Sequence, residues 1–377
     1  MGCPAPGLIR HGSGSADFAL IGHSDSWASS VAVMQALRGT GPRPLSDADV
    51  REILPWIPPR TVCRVLVRSQ LGTEARGVYI DSFISPDQLE PPFHHANVRR
   101  IREAADCAVR EGASIATLGG FSSILLEGRV ELLPPDCGTV FTTGNTLTVA
   151  YIVHGVAEAA RLSGRSLSDL TLLIVGATGD VGSGCGRYLA PRVKRLLICA
   201  RNPARLTREL ESLRHHDPQA RAATEVAELL PEADVIICAA SLPSSSLDLS
   251  RTGREAIVCD AGYPRNVRFG GEETDRMVFS GGMGQVKAGI RLEPNLSQSL
   301  SPHPFPNIAY GCLLEGMLLA LEKRFESFSR GRGHITVEKV DEIWDLAQKH
   351  GFDLAPFFYG ERPWDEAFVG STRQVLS

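Results

Sequence analysis

The sequence predicts an α/β fold: an N-terminal α/β domain, then a parallel sheet flanked by helices, then a C-terminal helical segment. Three observations carry this. Between Thr171 and Gly282 short apolar runs alternate with helical stretches, the pattern of repeated β-α units. The runs are apolar throughout, as strands covered on both faces by helices must be. A chain of 377 residues, 43% hydrophobic and 22% charged, also exceeds one small core and makes roughly two soluble domains.

Residues 1–17, rich in Gly, Pro and Ser, read as a flexible arm. Residues 18–151 form the N-terminal α/β domain, with strands at Thr61 to Val67 and Gly77 to Ile80. A helix follows from Asn97 to Arg110 with Ile101, Ala105, Ala108 and Val109 on one face. Residues 165–290 hold the parallel runs Leu172 to Val175, Leu196 to Cys199, Val235 to Cys238, Ile257 to Cys259 and Met277 to Phe279. Residues 301–359 open with the bend Ser301 to Pro306 and are expected to be helical, with an apolar helix from about Ile308 to Phe325. An amphipathic helix from Val337 to His350 is stopped by Gly351, and 360–377 is a tail.

A net charge of −4 provides no basic field to hold a polyanion, which excludes nucleic acid as the expected partner. The nine cysteines form no Cys-x-x-Cys pair, so neither a metal site nor a disulfide framework is expected. The sequence shows no basic, apolar leader and no run of 18 apolar residues, so a cytoplasmic protein without an integral membrane segment is expected. Met1-Gly2-Cys3 hints at acylation, but Pro6 stands where the myristoylation pattern needs Ser or Thr.

Directly after the first parallel run comes Gly176-Ala177-Thr178-Gly179-Asp180-Val181-Gly182, followed by a helix. Glycines alone mark a turn. Between strand and helix they let backbone N–H groups and a helix N-terminus meet a pyrophosphate, so residues 165–290 read as a Rossmann-type dinucleotide domain. The second run ends Cys199-Ala200-Arg201-Asn202, with no acid for a ribose 2′-hydroxyl and an arginine suited to a 2′-phosphate. NADPH is therefore the expected cofactor. Thr143 and Asn145 either line the cofactor or substrate or cap the next helix. Tyr263 and Arg265 follow the carboxyl end of a strand, where ligands bind in such sheets, or are turn residues.

Cys63, Cys199, Cys238 and Cys259 lie in strands and Cys107 on a helix, as small buried hydrophobes do. Cys312 differs, because it follows the proline-rich bend at the front of a helix, where thiolate is stabilised. Gly316, one turn on, leaves space beside it. By spacing alone, a lone cysteine on an apolar helix is more often core than catalyst. His94, His95 and His154 have no partner spacing for a metal or triad and read as structural or solvated.

Seven segments, in order, resemble the aldehyde-generating acyl-[acyl-carrier-protein] reductases. They are Thr117 to Ile124, Phe141 to Thr146, Val175 to Gly182, Ala200 to Asn202, Asp260 to Asn266, Cys312 with Glu315 and Met317 to Leu319, and Ile335 to Lys339 with His350 to Phe352. The resemblance implies NADPH-dependent reduction of a carrier-bound fatty acyl thioester to an aldehyde, with Cys312 as the nucleophile. It places a supporting hydroxyl on Ser123, with Ser122 beside it. The carboxylate of the family's Tyr-Ile-Glu-Ser segment falls on Asp81, one methylene shorter. The implied partners are acyl carrier protein or a similar thioester carrier, and a downstream aldehyde-using enzyme. Two other readings stay open: a reductase of polyketide or aminoacyl thioesters, and a non-catalytic NADPH-binding sensor.

Overall fold

A computed structural model describes residues 15–24, 26–39, 41, 43–88, 91–126, 132–134, 138–240, 247–262, 265–267, 276–300, 303–331 and 333–364. The first unit contains β1 (Phe18–Gly22), α1 (Trp27–Arg38), α2 (Asp47–Ile53), β2 (Arg60–Arg68), β3 (Glu74–Asp81), α3 (His94–Arg110), β4 (Ile115–Leu118), α4 (Phe121–Leu125), β5 (Val140–Thr142) and α5 (Asn145–Leu162). Its strands run in the order β2-β3-β1-β4-β5. β2 is antiparallel to β3 and the remaining pairs are parallel. The parallel strands therefore deliver Gly22, Asp81, Leu118 and Thr142 to one edge of the sheet.

The second unit contains β6 (Thr171–Val175), α6 (Asp180–Leu189), β7 (Arg195–Cys199), α7 (Pro203–Leu213), β8 (Arg221–Ala223), β9 (Val235–Cys238), β10 (Ile257–Asp260) and β11 (Met277–Ser280). All six strands are parallel, in the order β11-β10-β9-β6-β7-β8. Counted from β6, this is the 3-2-1-4-5-6 order of the doubly wound dinucleotide fold, and its direction reverses between β6 and β9. The α/β class and Rossmann-type sheet expected from the apolar runs are both present.

Much of the remaining chain goes back to the first unit, while its end packs on the second sheet, with the Tyr359 hydroxyl donating to Asp260 and the Trp364 indole N–H to the Val278 carbonyl (2.8 Å). The remaining chain forms β12 (Met283–Val286), β13 (Ile290–Glu293), α8 (Ser297–Leu300), β14 (Ile308–Tyr310), α9 (Gly311–Leu321), α10 (Val337–His350), β15 (Phe352–Leu354), β16 (Phe358–Tyr359) and β17 (Arg362–Pro363). β13 pairs antiparallel with β2 as the edge of the first sheet, and β12 sits between β14 and β15 in a small antiparallel sheet. The segment expected to be helical thus also supplies strands. The apolar helix begins at Gly311 because Ile308 to Tyr310 pair with Met283 to Gln285, which uses their backbone groups in a ladder. α10 matches its sequence signals: Thr336 accepts the Lys339 N–H at its start and Gly351, at φ 77°, ends it.

One apolar core joins the two sheets. Leu20 and Ile115 from the first, Leu172, Ile174 and Ile198 from the second, and Val149, Ile152, Leu314 and Leu318 from α5 and α9 belong to it. α5 and α9 are therefore buried between the units, and both begin at the edge where the parallel strands end. A second cluster packs α3, through Ile101, Ala104 and Ala108, on the outer face of the first sheet.

Candidate active site

The nucleotide loop takes its shape from two glycines. Gly176 leaves β6 at φ 86°, and a Cβ there would lie 2.7 Å from the backbone of Ala239. A Cβ on Gly182 would lie 2.3 Å from the Gly176 carbonyl oxygen. Side chains at either position would close the turn, so the loop exists only as a glycine turn. Gly179 caps α6 and leaves its first N–H groups pointing outward, while Thr178, Asp180 and Val181 line the cleft beside it.

At the end of β7, Arg201 and Asn202 line the same cleft. The Asn202 side chain accepts the Arg205 N–H (3.0 Å) as the cap of α7, so it shapes the turn. Arg205 lines the cleft as well, so two arginines stand on it beside the end of β7, and residues 199–202 supply no carboxylate. The sequence signal that could have found Arg205 is its place in the first turn of α7, just after Arg201 and the Asn202 cap. These residues fit NADPH, which is the coenzyme of this domain. Arg201→Ala is expected to weaken NADPH about 10- to 100-fold and to spare NADH, read by fluorescence titration. Equal losses for the two coenzymes would count against the assignment.

Cys312 lies in the first turn of α9 and is 9% exposed. It lines the same cleft as the nucleotide loop, a space of about 1190 Å³ whose wall also includes His23, Gly119, Gly120, Ser123, Asn145, Thr148, Gly282 and Leu313. Burial pushes the thiol up to about 11, against the pull of the backbone N–H groups of Gly120, Leu313 and Cys312 itself. The helix start therefore does not make a resting thiolate, as its position had suggested. It provides donors that hold the sulfur's charge once the proton leaves.

The cysteine is held in place from below. Gly144, the cap of α5 at φ 71°, sits so close that a Cβ would lie 2.1 Å from the Cys312 carbonyl oxygen. Glu315, fully buried, accepts from Thr142 Oγ1 (2.7 Å) and from the Leu147 N–H (3.0 Å), tying α9 to β5 and α5. Burial raises its carboxyl to about 7. The Asn145 amide donates to Asp180 (2.8 Å), so the start of α5 also grips the nucleotide loop. Glu315 and Asn145 thus connect the cysteine and the coenzyme loop through one helix end.

Several expected residues stand elsewhere. Ser123 reaches the cleft wall, with its hydroxyl donating to the Gly120 carbonyl (3.0 Å). Ser122 is fully buried and lies outside the residues that line the cleft. Asp81, at the end of β3, is also fully buried and outside the lining; its carboxylate accepts the Phe83 N–H (2.7 Å), capping its own turn. Thr143 bonds Ser329 through its hydroxyl, and its N–H donates to the Ser329 carbonyl (3.0 Å), so it anchors the loop after α9. Gly182 serves by close packing and does not line the cleft. Tyr263 lies outside the described residues, as do Cys3 and Cys137.

Sequence reasoning missed His23 and His303. His303 lines the cleft in the proline-rich bend, and burial holds its imidazole down at about 4. Among the described residues no group of His, Cys, Asp and Glu could hold a metal ion, and no helix is long and apolar enough to cross a membrane.

A profile of the shikimate / quinate 5-dehydrogenase family matches residues 158–279, the span of the second sheet. The chain is 32% identical over 305 residues to a long-chain acyl-[acyl-carrier-protein] reductase of Synechococcus elongatus, covering 78% of this chain and 87% of that protein. It is 26% identical over 275 residues to the aminotransferase PigE of a Serratia species, covering 70% of this chain and 31% of that protein. Among solved structures it is similar to a quinate dehydrogenase from Corynebacterium glutamicum in complex with NAD, at 12% identity and a TM-score of 0.33, covering 96% of this chain and 98% of that one. With a doubly wound NADPH domain joined to a buried cysteine by one cleft, and with that identity across most of both chains, this oxidoreductase belongs to the long-chain acyl-[acyl-carrier-protein] reductase family.

Proposed function

We propose that this protein takes an acyl group from a carrier thioester onto Cys312 and releases it as an aldehyde. The observation that supports this is that Cys312 and the nucleotide loop line a single cleft. A thiol there can receive the acyl group where a coenzyme on the loop can reach it.

In the first half-reaction the Cys312 sulfur gives up its proton and attacks the thioester carbonyl. The carrier's sulfur leaves with its bonding pair and takes up a proton, and an acyl-Cys312 thioester remains. Starting from a thiol at about 11, the N–H groups of Gly120, Leu313 and Cys312 hold the charge that develops on sulfur. Ser123, at the cleft wall, serves as the side-chain donor for the substrate oxygen by turning its single O–H away from the Gly120 carbonyl it meets in the free enzyme. When bound, NADPH would supply the hydride that reduces the acyl carbon; the bond from that carbon to Cys312 then breaks, its pair returns to sulfur, which takes up a proton, and the aldehyde is freed. Burial of Cys312 at 9% exposure keeps water from the thioester it carries, so the acyl group is reduced before it is hydrolysed.

The carrier is proposed to be acyl carrier protein, whose pantetheine arm brings the thioester into the cleft. Incubation with acyl-acyl carrier protein in the absence of NADPH is expected to add the acyl mass to the peptide holding Cys312, read by mass spectrometry. An unmodified Cys312 peptide alongside aldehyde formation on adding NADPH would overturn the covalent route.

A further inference from the structure

We infer that His23 is a positioning residue for the nucleophile: its imidazole fixes the Gly119–Gly120 turn against the start of α9, so that the Gly120 N–H faces the Cys312 sulfur. The inference rests on the reading of Cys312 as the acyl acceptor. His23 follows the last residue of β1, and it lines the cleft together with Gly119, Gly120, Cys312 and Leu313.

The geometry assigns the imidazole's state. Nδ1 lies 3.2 Å from the Ser24 carbonyl oxygen, which can only accept, so Nδ1 carries the proton. Nε2 is then a lone-pair acceptor, and it receives the Phe121 N–H at 3.1 Å. That N–H is the first of α4, where no partner within the helix is available. The turn it steadies is tightly enclosed. Gly119 donates its N–H to the Ile21 carbonyl (2.8 Å), and a Cβ on it would lie 2.6 Å from the Leu313 side chain. Gly120 holds φ 55°, and a Cβ on it would lie 3.1 Å from His23 Nε2.

Glycine adopts that φ without steric cost, so the orientation of Gly120 is set by the contacts on either side of it. Ile21 and Leu313 fix Gly119 on one side, and the bond from Phe121 to His23 fixes the other side of Gly120. The N–H between them is thereby held beside the first turn of α9, where Gly119 packs on Leu313 and Gly120 lines the cleft with Cys312. Without an acceptor at His23, the Phe121 N–H is left buried and unpaired, and the turn rotates to satisfy it. Gly120 then loses its aim.

The test compares His23→Leu, which keeps bulk and removes the acceptor, with His23→Gln, whose carbonyl oxygen can accept the same N–H. Two readouts are taken on the full-length enzyme: kcat for aldehyde formation, and the rate at which iodoacetamide alkylates the Cys312 peptide at mildly alkaline pH. His23→Leu is expected to lower both about 10- to 100-fold with little change in KM for NADPH, and His23→Gln to recover most of the loss. Wild-type alkylation in His23→Leu would overturn the inference. Equal impairment of a folded His23→Gln would overturn it too, because the imidazole itself would then be required. Should His23→Leu fail to fold, the recovery or failure of His23→Gln alone decides. The alkylation rate needs no acyl substrate, so a Cys312 that proves not to carry the acyl group would fail in the mass measurement above while this comparison still reads the turn.

Discussion

Cys312→Ser is expected to lower aldehyde formation at least about 10³-fold while leaving NADPH binding intact. Serine occupies the same place with nearly the same shape, so α9 keeps its start on Gly144 and the core around Leu314 and Leu318 is undisturbed. The proton is what changes. The site lifts even a thiol to about 11, and a hydroxyl begins several units higher. The N–H groups that offset part of the burial for sulfur leave an alkoxide inaccessible at neutral pH. The coenzyme loop, Gly176 to Gly182, is shaped by its own backbone contacts and does not sense the exchange. Product analysis by gas chromatography with a parallel NADPH titration checks both halves. Aldehyde formation within tenfold of wild type would refute the nucleophile.

Gly144→Ala is expected to be the most damaging substitution outside the cysteine. It combines two penalties: a side chain at φ 71°, and a methyl group 2.1 Å from the Cys312 carbonyl oxygen and 2.4 Å from its Cα. The first costs about 1–2 kcal/mol. The second cannot be relieved by a rotamer, because the obstacle is the backbone of Cys312, so the first turn of α9 moves. A turnover loss of about 100-fold is expected, since displacement of a reacting group by about 1 Å costs that much. Gly164→Ala provides the control. It has φ 76° and nothing within 4 Å of its Cβ, so it should lose similar conformational stability and keep its turnover. Denaturation midpoints and kcat, measured for both variants, separate strain from misplacement; matched turnover losses would remove the special role of Gly144.

The coenzyme half of the protein was legible from sequence because it is local. A strand, a glycine turn and a helix are adjacent in the chain, and Arg201 stands one strand later, so each signal lies within a few residues of its partner. The cysteine half depends on contacts between distant segments. Glu315 meets Thr142 and Leu147, and Gly144 meets Cys312, across more than 160 residues of chain. No periodicity reports such a meeting. Asp81 illustrates the same limit: its place in a motif pointed to the site, but the short side chain closes on the Phe83 N–H instead. His23 was missed because its bond to Phe121 spans 98 residues and its neighbours carry no motif of their own. Ile308 to Tyr310 read as helix because their apolar character suits either state, and only the partner strand decides.

The chain's return to the first sheet after the coenzyme domain, through β13 and α9, sets the order in which activity can arise during synthesis. All six strands of the second sheet are made before the ribosome reaches Cys312, so the nucleotide loop is complete in the chain before α9 exists. The first sheet must wait, with its edge at β2 uncovered and the seat for α9 open, until the late segment arrives and closes both together. The wall of the cleft at Cys312 is thereby closed only by a segment made after the coenzyme domain.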